Sequence, residues 1–463
     1  MKIAFTTLGC KLNYAETATY ERGFLAAGWT VVPWTEAADV YLVNTCAVTE
    51  TAEKKSRNLI RRAHKTAPEA RIIVTGCYAQ LRKDELLALP GVWKVFASDE
   101  KSSLVETIIA AAEVWPSEIH VHPRSCKREG PADEDGREQA GLVSDGFGGG
   151  RGRSEAEAIS EGHTATAPSD KTFLAYSSGE DRTRGFLKVQ DGCNNFCAYC
   201  TVPYARGRSR SISVAEAVKA AQAIAAEGVK EIVLTGVNTG DFGRTTGESF
   251  LSLLQALNAV EGIERYRISS IEPNLITPEI IDWIASGTKF QRHFHIPLQS
   301  GSDELLRRVG RRYDTALFAS RIDYIRQAME QPGEALVFFG IDVIVGLPGE
   351  TEALFQETYD FLKNRIRPAY IHVFPYSRRP GTRAAEWADQ VQDSVKTERV
   401  ARLEALCDEL HTAFVEANRG VREQVLWESS VKNGLMGGYT GNYIRVERPY
   451  DPARVNTFEE IVL

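Results

Sequence analysis

The chain has 463 residues, 43% of them hydrophobic, with eight cysteines and a formal charge of −7; it is too long for a single core, too apolar to be disordered, and too poor in cysteine to be disulfide-stapled. No apolar run approaches a membrane span and Met1–Thr7 lacks the long apolar core of a signal peptide, so the expected compartment is the cytoplasm, with no membrane partner. The acidic total does not exclude a nucleic-acid partner: residues 130–170 hold nine Asp and Glu against three Arg, which accounts for −6 of the charge and leaves a nearly neutral remainder able to present local basic faces.

From Met1 to Pro116, short apolar strands alternate with helical stretches. Lys2–Thr7, Asp39–Asn44 and Arg71–Thr75 read as buried parallel strands, and the alternation predicts a doubly wound α/β domain over residues 1–116. Each strand runs straight into a cysteine: Cys10, Cys46 and Cys77. The loops beyond the carboxyl ends of such strands converge on one crevice, so three thiols distant in sequence are expected to meet. One of them alone would read as a small residue packing a strand end. Three at one edge predict a [4Fe-4S] cluster with an open iron.

Residues 117–182 dissolve into Gly, Ser, Glu, Ala and Pro and read as a flexible acidic linker. Cys126 lies within it without a partner.

Residues 183–413 again alternate. Strands are expected at Phe186–Gln190, Glu231–Gly236, Arg265–Ile271, His293–Leu298, Ile341–Val345 and Tyr370–Phe374, with helices between them such as Val214–Glu227 and Asp303–Met329. Six βα units predict a partial (β/α)6 barrel of the triose-phosphate-isomerase type, reactive at the carboxyl ends of its strands. The first of these strands delivers Cys193, Cys197 and Cys200, within Asp191-Gly-Cys-Asn-Asn-Phe-Cys-Ala-Tyr-Cys200. A structural zinc needs four ligands, but no fourth cysteine or histidine is near; a redox pair would leave Cys193 idle. Three thiolates instead suit a second [4Fe-4S] cluster with one open iron. A helix over Ser394–Asn418 follows, with Cys407 on its apolar stripe, and residues 414–463 read as the short strands of a small β-barrel.

The spacing of Cys193, Cys197 and Cys200, with the aromatic Tyr199 before the last, resembles the signature of the radical S-adenosylmethionine enzymes. That resemblance implies S-adenosylmethionine chelated at the open iron and cleaved to a 5′-deoxyadenosyl radical. Two three-cysteine sites, an α/β domain before the barrel and a terminal β-barrel together resemble the methylthiotransferases. Thr7-Leu-Gly-Cys-Lys-Leu-Asn-Tyr-Ala-Glu-Thr17 is similar to the type that acts on threonylcarbamoyladenosine in tRNA; Asn44–Thr49, Pro203–Arg210, Gly236–Gly243 and His295–Ser302 agree.

The resemblance implies methylthio insertion at carbon 2 of the adenine beside the anticodon, two [4Fe-4S] clusters, and a terminal RNA-binding barrel of the TRAM kind. It also implies an electron donor such as flavodoxin or ferredoxin, and a monomer is expected. Tyr199, Thr235, Gly236, Ser270, Glu272 and Ile344 are the expected S-adenosylmethionine contacts; Arg206, Arg208, Arg210, Tyr443 and Arg445 are the expected contacts to the tRNA anticodon stem-loop, with a second basic stretch, Lys54–Lys65. The alternatives are the same chemistry on isopentenyladenosine or a ribosomal protein, and a non-catalytic iron-sulfur protein that binds RNA and senses redox state.

Overall fold

The structure, a computed structural model, describes residues 1–113, 115, 174–179 and 182–463. Cys126 and most of the expected linker lie outside the described residues. The linker's predicted end does not hold, since Ala175–Gly179 is a strand.

Five parallel strands form the first sheet: β1 (Lys2–Thr7), β2 (Thr30–Val31), β3 (Val40–Thr45), β4 (Arg71–Gly76) and β5 (Val92–Val95), in the order β2-β1-β3-β4-β5. The sequence of β3 shows why it is central. Val40 and Leu42 pack into the core on one face and Tyr41 and Val43 into the core on the other, all four without solvent contact; a sheet covered on both faces requires such a continuous apolar run. The chain leaves β1 for β2 on one side and returns to β3 on the other. The crevice between the carboxyl ends of β1 and β3 is therefore the switch point at which such sheets place their sites.

The second assembly starts with β6 (Ala175–Gly179), antiparallel to β7 (Arg182–Lys188). A two-stranded ribbon, β8 (Gln190–Asp191) with β9 (Arg210–Ser211), brackets the loop that carries Cys193, Cys197 and Cys200. Parallel strands follow: β10 (Glu231–Thr235) and β11 (Arg265–Ile268) beside β7, then β12 (His293–Gln299), β13 (Phe338–Val345) and β14 (Tyr370–Pro375). Parallel bridges Tyr266–Phe290 and Ser270–His295 join the two sets, giving an arch of six parallel strands. Leu187, Ile232, Leu234, Ile268, Phe294, Ile296, Ile341 and Val343 lie on its convex face in one core with the surrounding helices. The alternate positions, among them Arg184, Glu231, Arg267, His295, Asp342 and His372, line the concave face.

The helix Val214–Ala226 begins at a reciprocal capping box, Ser213 with Glu216. The stretch Asp303–Met329 is two helices rather than the single one expected: Asp303–Val309 ends at Gly310 in the left-handed region (φ 79°), and Thr315–Met329 starts afresh with Asp314 as its cap. Asp393–Ala417 is helical, with Cys407 in the core. The chain ends in an antiparallel sheet of β15 (Arg422–Lys432), β16 (Leu435–Tyr439), β17 (Arg445–Pro449) and β18 (Phe458–Val462), in the order β17-β16-β15-β18.

Candidate functional site

Cys10, Cys46 and Cys77 come together at the carboxyl edge of the first sheet. Cys10 caps the helix α1 (Lys11–Ala26), Cys46 follows β3, and Cys77 opens a short helix after β4. Two glycines allow the approach. A Cβ on Gly9 would lie 2.9 Å from Cys46 Cβ and 3.1 Å from its sulfur, and one on Gly76 would lie 2.2 Å from the Thr45 carbonyl; both residues have positive φ. Side chains lock the loops: Asn13 donates to the carbonyls of Leu8 (2.7 Å) and Thr45 (3.1 Å), and the Thr45 hydroxyl donates to the Thr75 carbonyl (2.6 Å). Burial, and then the neighbouring Cys77 and Cys10 sulfurs, push the Cys46 thiol up to about 12; burial likewise raises Cys77. Such thiols become thiolates when a cation compensates their charge.

The second set hangs on the loop after β8. Each sulfur accepts one hydrogen bond: Cys193 from the Asn195 backbone (3.5 Å), Cys200 from the Val202 backbone (3.4 Å), and Cys197 from the Arg311 guanidinium (3.4 Å). Donors of this kind tune iron-sulfur centres. Burial pushes Cys193 to about 11 and Cys200 to about 12. Both thiol sets fit a cluster with an unclaimed corner, since each brings three free sulfurs and, among the described residues, no fourth cysteine.

The expected cofactor residues gather beside this loop. Thr235 ends β10, and Gly236 has no room for a side chain: a Cβ would lie 2.9 Å from Gln190 Oε1. The hydroxyls of Thr235 and Ser269 and the amide nitrogen of Asn238 are buried without a partner among the described residues. Unpaired polar atoms at the strand ends are what a polar ligand would satisfy. Tyr199 and Ile344 pack together against Val309, Leu347 and Tyr376. The Ser270 carbonyl accepts from both the backbone and the hydroxyl of Thr239. Glu272, expected to reach a ribose, has other partners: Asn195 Nδ2 donates to both its oxygens at 2.8 Å and Arg311 lies 2.7 Å away. It thereby also clamps the cysteine loop.

The expected RNA residues separate. Arg206 and Arg210 are buried, and reading them as phosphate contacts is corrected. Arg206 lies 3.0 Å from Asp191 and 3.2 Å from Glu16 and donates to Asn13; Arg210 donates to the Arg206 carbonyl and lies 3.6 Å from Asp191. Lys188 and Lys101 complete the network around Glu16, at 2.9 and 2.8 Å. These cations hold the Glu16 and Asp191 carboxyls below the usual range against their burial. Arg208 is exposed, 6.0 Å from the ring of Phe196. Tyr443 is also turned inward: its hydroxyl accepts from Arg184 (3.0 Å) and its ring stacks on Tyr439 at 4.7 Å. Arg267 donates to the carbonyls of Thr440 and Gly441, so Tyr443 sits where the terminal sheet closes the end of the arch opposite Cys193. Arg445 is exposed and paired with Glu447 at 2.7 Å. Lys54, Lys55, Arg61, Arg62 and Lys65 lie exposed on the helix Glu50–Thr66.

Residues that the sequence left unmarked complete the site: Arg311, Glu16, Lys188 and Lys11. Burial lowers Lys11, while the groups acting on its ammonium are Tyr443, Arg184, Arg267 and Asp342. The signal for Glu16 and Lys11 was their place in the Cys10 motif.

The family model for uncharacterized protein family UPF0004 matches residues 2–98, and that for the radical SAM superfamily matches residues 187–362. The latter family implies a [4Fe-4S] cluster and S-adenosylmethionine. No helix among the described residues is long and apolar enough to cross a membrane. The fold is similar to that of the radical S-adenosylmethionine methyltransferase TsrM from Kitasatospora setae, with a TM-score of 0.51 and 14% identity over 83% of this chain and 77% of that one. Threonylcarbamoyladenosine tRNA methylthiotransferase MtaB from Aquifex aeolicus is 34% identical, covering 97% of each chain. Its counterpart from Bacillus subtilis is 39% identical over 450 residues, 96% of this chain and 89% of the relative. With both thiol sets in place on the matching fold and similarity running nearly end to end, the chain belongs to the family of threonylcarbamoyladenosine tRNA methylthiotransferases.

Proposed function

We infer that the protein inserts a methylthio group at carbon 2 of N6-threonylcarbamoyladenosine beside the anticodon of tRNA. The observation that carries this is the pairing of two three-thiol sites through one buried network, in which Arg206 acts on Cys77 and Cys10 while lying six residues beyond Cys200. Carbon 2 of adenine has no acidic hydrogen and no leaving group, so acid-base and nucleophilic routes lack a handle. When bound, a cluster at Cys193, Cys197 and Cys200 supplies the electron that cleaves S-adenosylmethionine, and one at Cys10, Cys46 and Cys77 supplies the sulfur.

The chain's own residues do the rest. Arg311 and the backbone amides of Asn195 and Val202 donate to the sulfurs, and Glu272 holds Arg311 and Asn195 in place. Thr235, Asn238 and Ser269 offer unpaired polar atoms to the cofactor, with Gly236, Ser270, Tyr199 and Ile344 shaping its pocket. The division we propose is an auxiliary-cluster domain over 1–116, a linker that ends before β6, a partial barrel of the triose-phosphate-isomerase type that includes β6 and the helix Asp393–Ala417, and a TRAM-like module built on β15 to β18. Arg208 beside exposed Phe196, the basic face of Lys54–Lys65, and Arg445 are the candidate surfaces for the anticodon stem-loop. An electron donor such as flavodoxin or ferredoxin completes the system, and the working form is a monomer in the cytoplasm.

Nucleoside mass spectrometry of tRNA from cells lacking the protein tests the reading. The expected product is threonylcarbamoyladenosine without its methylthio group; an unchanged methylthio level rejects it. Loss of methylthiolation on isopentenyladenosine or a ribosomal protein instead would move the substrate. A redox sensor would form no 5′-deoxyadenosine from S-adenosylmethionine under reducing conditions.

A further inference from the structure

The concave face of the arch carries a cluster that the thiol sites leave unused. His295, Asp342 and His372, on β12, β13 and β14, bring their ligating atoms within 4.8 Å of one another. His295 Nε2 is 2.8 Å from Asp342 Oδ1, and the two imidazole rings stack at 5.0 Å. Gly340 lies against the pair: a Cβ there would stand 3.8 Å from His295 and 3.9 Å from His372, at ordinary contact distance.

Lys11 enters the same space from the first domain. Its charged neighbours sit on β7 (Arg184), β11 (Arg267) and β13 (Asp342), and its ammonium also acts on His293 of β12 and His372 of β14. A group that faces all these strands at once lies inside the arch. The other cations already have carboxylates: Arg184 is 2.8 Å from Glu428 and Arg267 is 2.9 Å from Glu231. Lys11 makes no ion pair or hydrogen bond among the described residues, and Asp342 is taken by His295.

Two ligand chemistries suit such a set. A His-Asp-His group can grip a divalent cation, but here the ion would sit beside an unpaired ammonium and two guanidinium groups, and like charges in a sheltered site repel strongly. An anion meets a better situation: the ammonium makes no ion pair among the described residues, the carboxylate that acts on it, Asp342, is held by His295, and the imidazole of His372 can turn an N–H toward the ligand. We propose that Lys11, with His372 and His295 beside it, forms the pocket for the carboxylate of the amino-acid substituent on the target adenosine, and so selects that nucleoside over one with an apolar substituent.

This assignment rests on the substrate reading above and deepens it. The urea N–H of a threonylcarbamoyl group can close a six-membered hydrogen-bonded ring with N1 of the adenine, which turns the carboxylate toward the edge of the base that carries carbon 2. Lys11 directly follows Cys10. The residue that reads the substituent and a thiol of the auxiliary site are thus set together by the first turn of α1.

The test is equilibrium binding by fluorescence anisotropy, with the reconstituted full-length protein and anticodon hairpins carrying threonylcarbamoyladenosine, isopentenyladenosine or adenosine at the same position. The wild type should prefer the first hairpin by on the order of tenfold or more, the worth of one charge-assisted contact. Lys11→Met should bring the three affinities together, Lys11→Arg should keep most of the preference, and His372→Phe should reduce it. The ratio of affinities is unmoved by a variant that is merely less stable. A Lys11→Met protein that keeps the full preference, or a wild type with none, overturns the pocket, while methylthiolated threonylcarbamoyladenosine in cellular tRNA still upholds the substrate reading. Stoichiometric zinc bound by the wild type and lost in His372→Phe overturns it as well. Loss of methylthiolation on isopentenyladenosine alone in the deletion strain removes the substrate reading, and the pocket with it.

Discussion

Glu16 on α1 and Lys188 at the end of β7 lie 2.9 Å apart, and neither side chain touches solvent. One belongs to the helix that follows Cys10 in the domain of Cys46 and Cys77, the other to the strand that leads to Cys193. With Lys101, Arg206 and Asp191 around them, they tie the two thiol sites into one rigid frame.

Breaking that frame from one side leaves uncompensated charge. Glu16→Gln strands Lys101, Lys188 and Arg206 with half of their buried counter-charge, and removing one partner of a buried pair costs about 3–5 kcal/mol. Denaturant unfolding should show a loss of that order. A change within about 0.5 kcal/mol, the size of an ordinary surface substitution, would mean that the network does not hold the domains together.

The same carboxylates set an acid limb. Glu16 and Asp191 have folded-state pKa values below their ordinary ones, with Lys101 and Lys188 respectively the foremost of the charges that oppose burial. Their contribution is complete above the unfolded carboxylate range, about 4; it falls as the pH drops below that range and is gone once the folded carboxyls take up protons. Stability measured from pH 6 downward should therefore decline more steeply in the wild type than in Glu16→Gln. Parallel curves would contradict the assignment.

Arg311 is the only side chain among the described residues seen donating to a thiol of the Cys193 set. Arg311→Met removes a positive charge and a hydrogen bond from that sulfur while keeping the stem. The charge and the hydrogen bond both favour the more negative, reduced state, so without them the reduction potential of the reconstituted centre should fall and 5′-deoxyadenosine formation should slow. An unaltered potential by spectroelectrochemical titration would make Arg311 a structural strut only.

The thiol sets should separate by substitution. Cys197→Ala should abolish S-adenosylmethionine cleavage, whereas Cys46→Ala should retain cleavage and lose methylthiolation. Gly9→Ala, which drives a methyl into Cys46, should mimic Cys46→Ala, with iron content reduced by about half after anaerobic reconstitution. Methylthiolation surviving in Cys46→Ala would falsify the role of the auxiliary thiols.

The thiols were legible because strand ends and loop spacing fix where they go, and both rules are local. Charge was not. Arg206 and Arg210 read as surface because nothing near them in sequence neutralises them, yet Glu16 and Asp191 bury them. Tyr443 read as an RNA platform, but the arginines at the amino ends of β7 and β11 draw its loop into the arch. The split at Gly310 was missed for the opposite reason: a helical apolar pattern ran across it, and only the left-handed cap shows the break.

The docking of the terminal sheet onto Arg184, Arg265 and Arg267 has a kinetic corollary. With that end of the arch covered, a cofactor or a substrate base would approach the strand ends from the side of Cys193. A tRNA seated on that same side would cover the cofactor's route, and on that geometry the sulfonium donor would have to bind before the polymer.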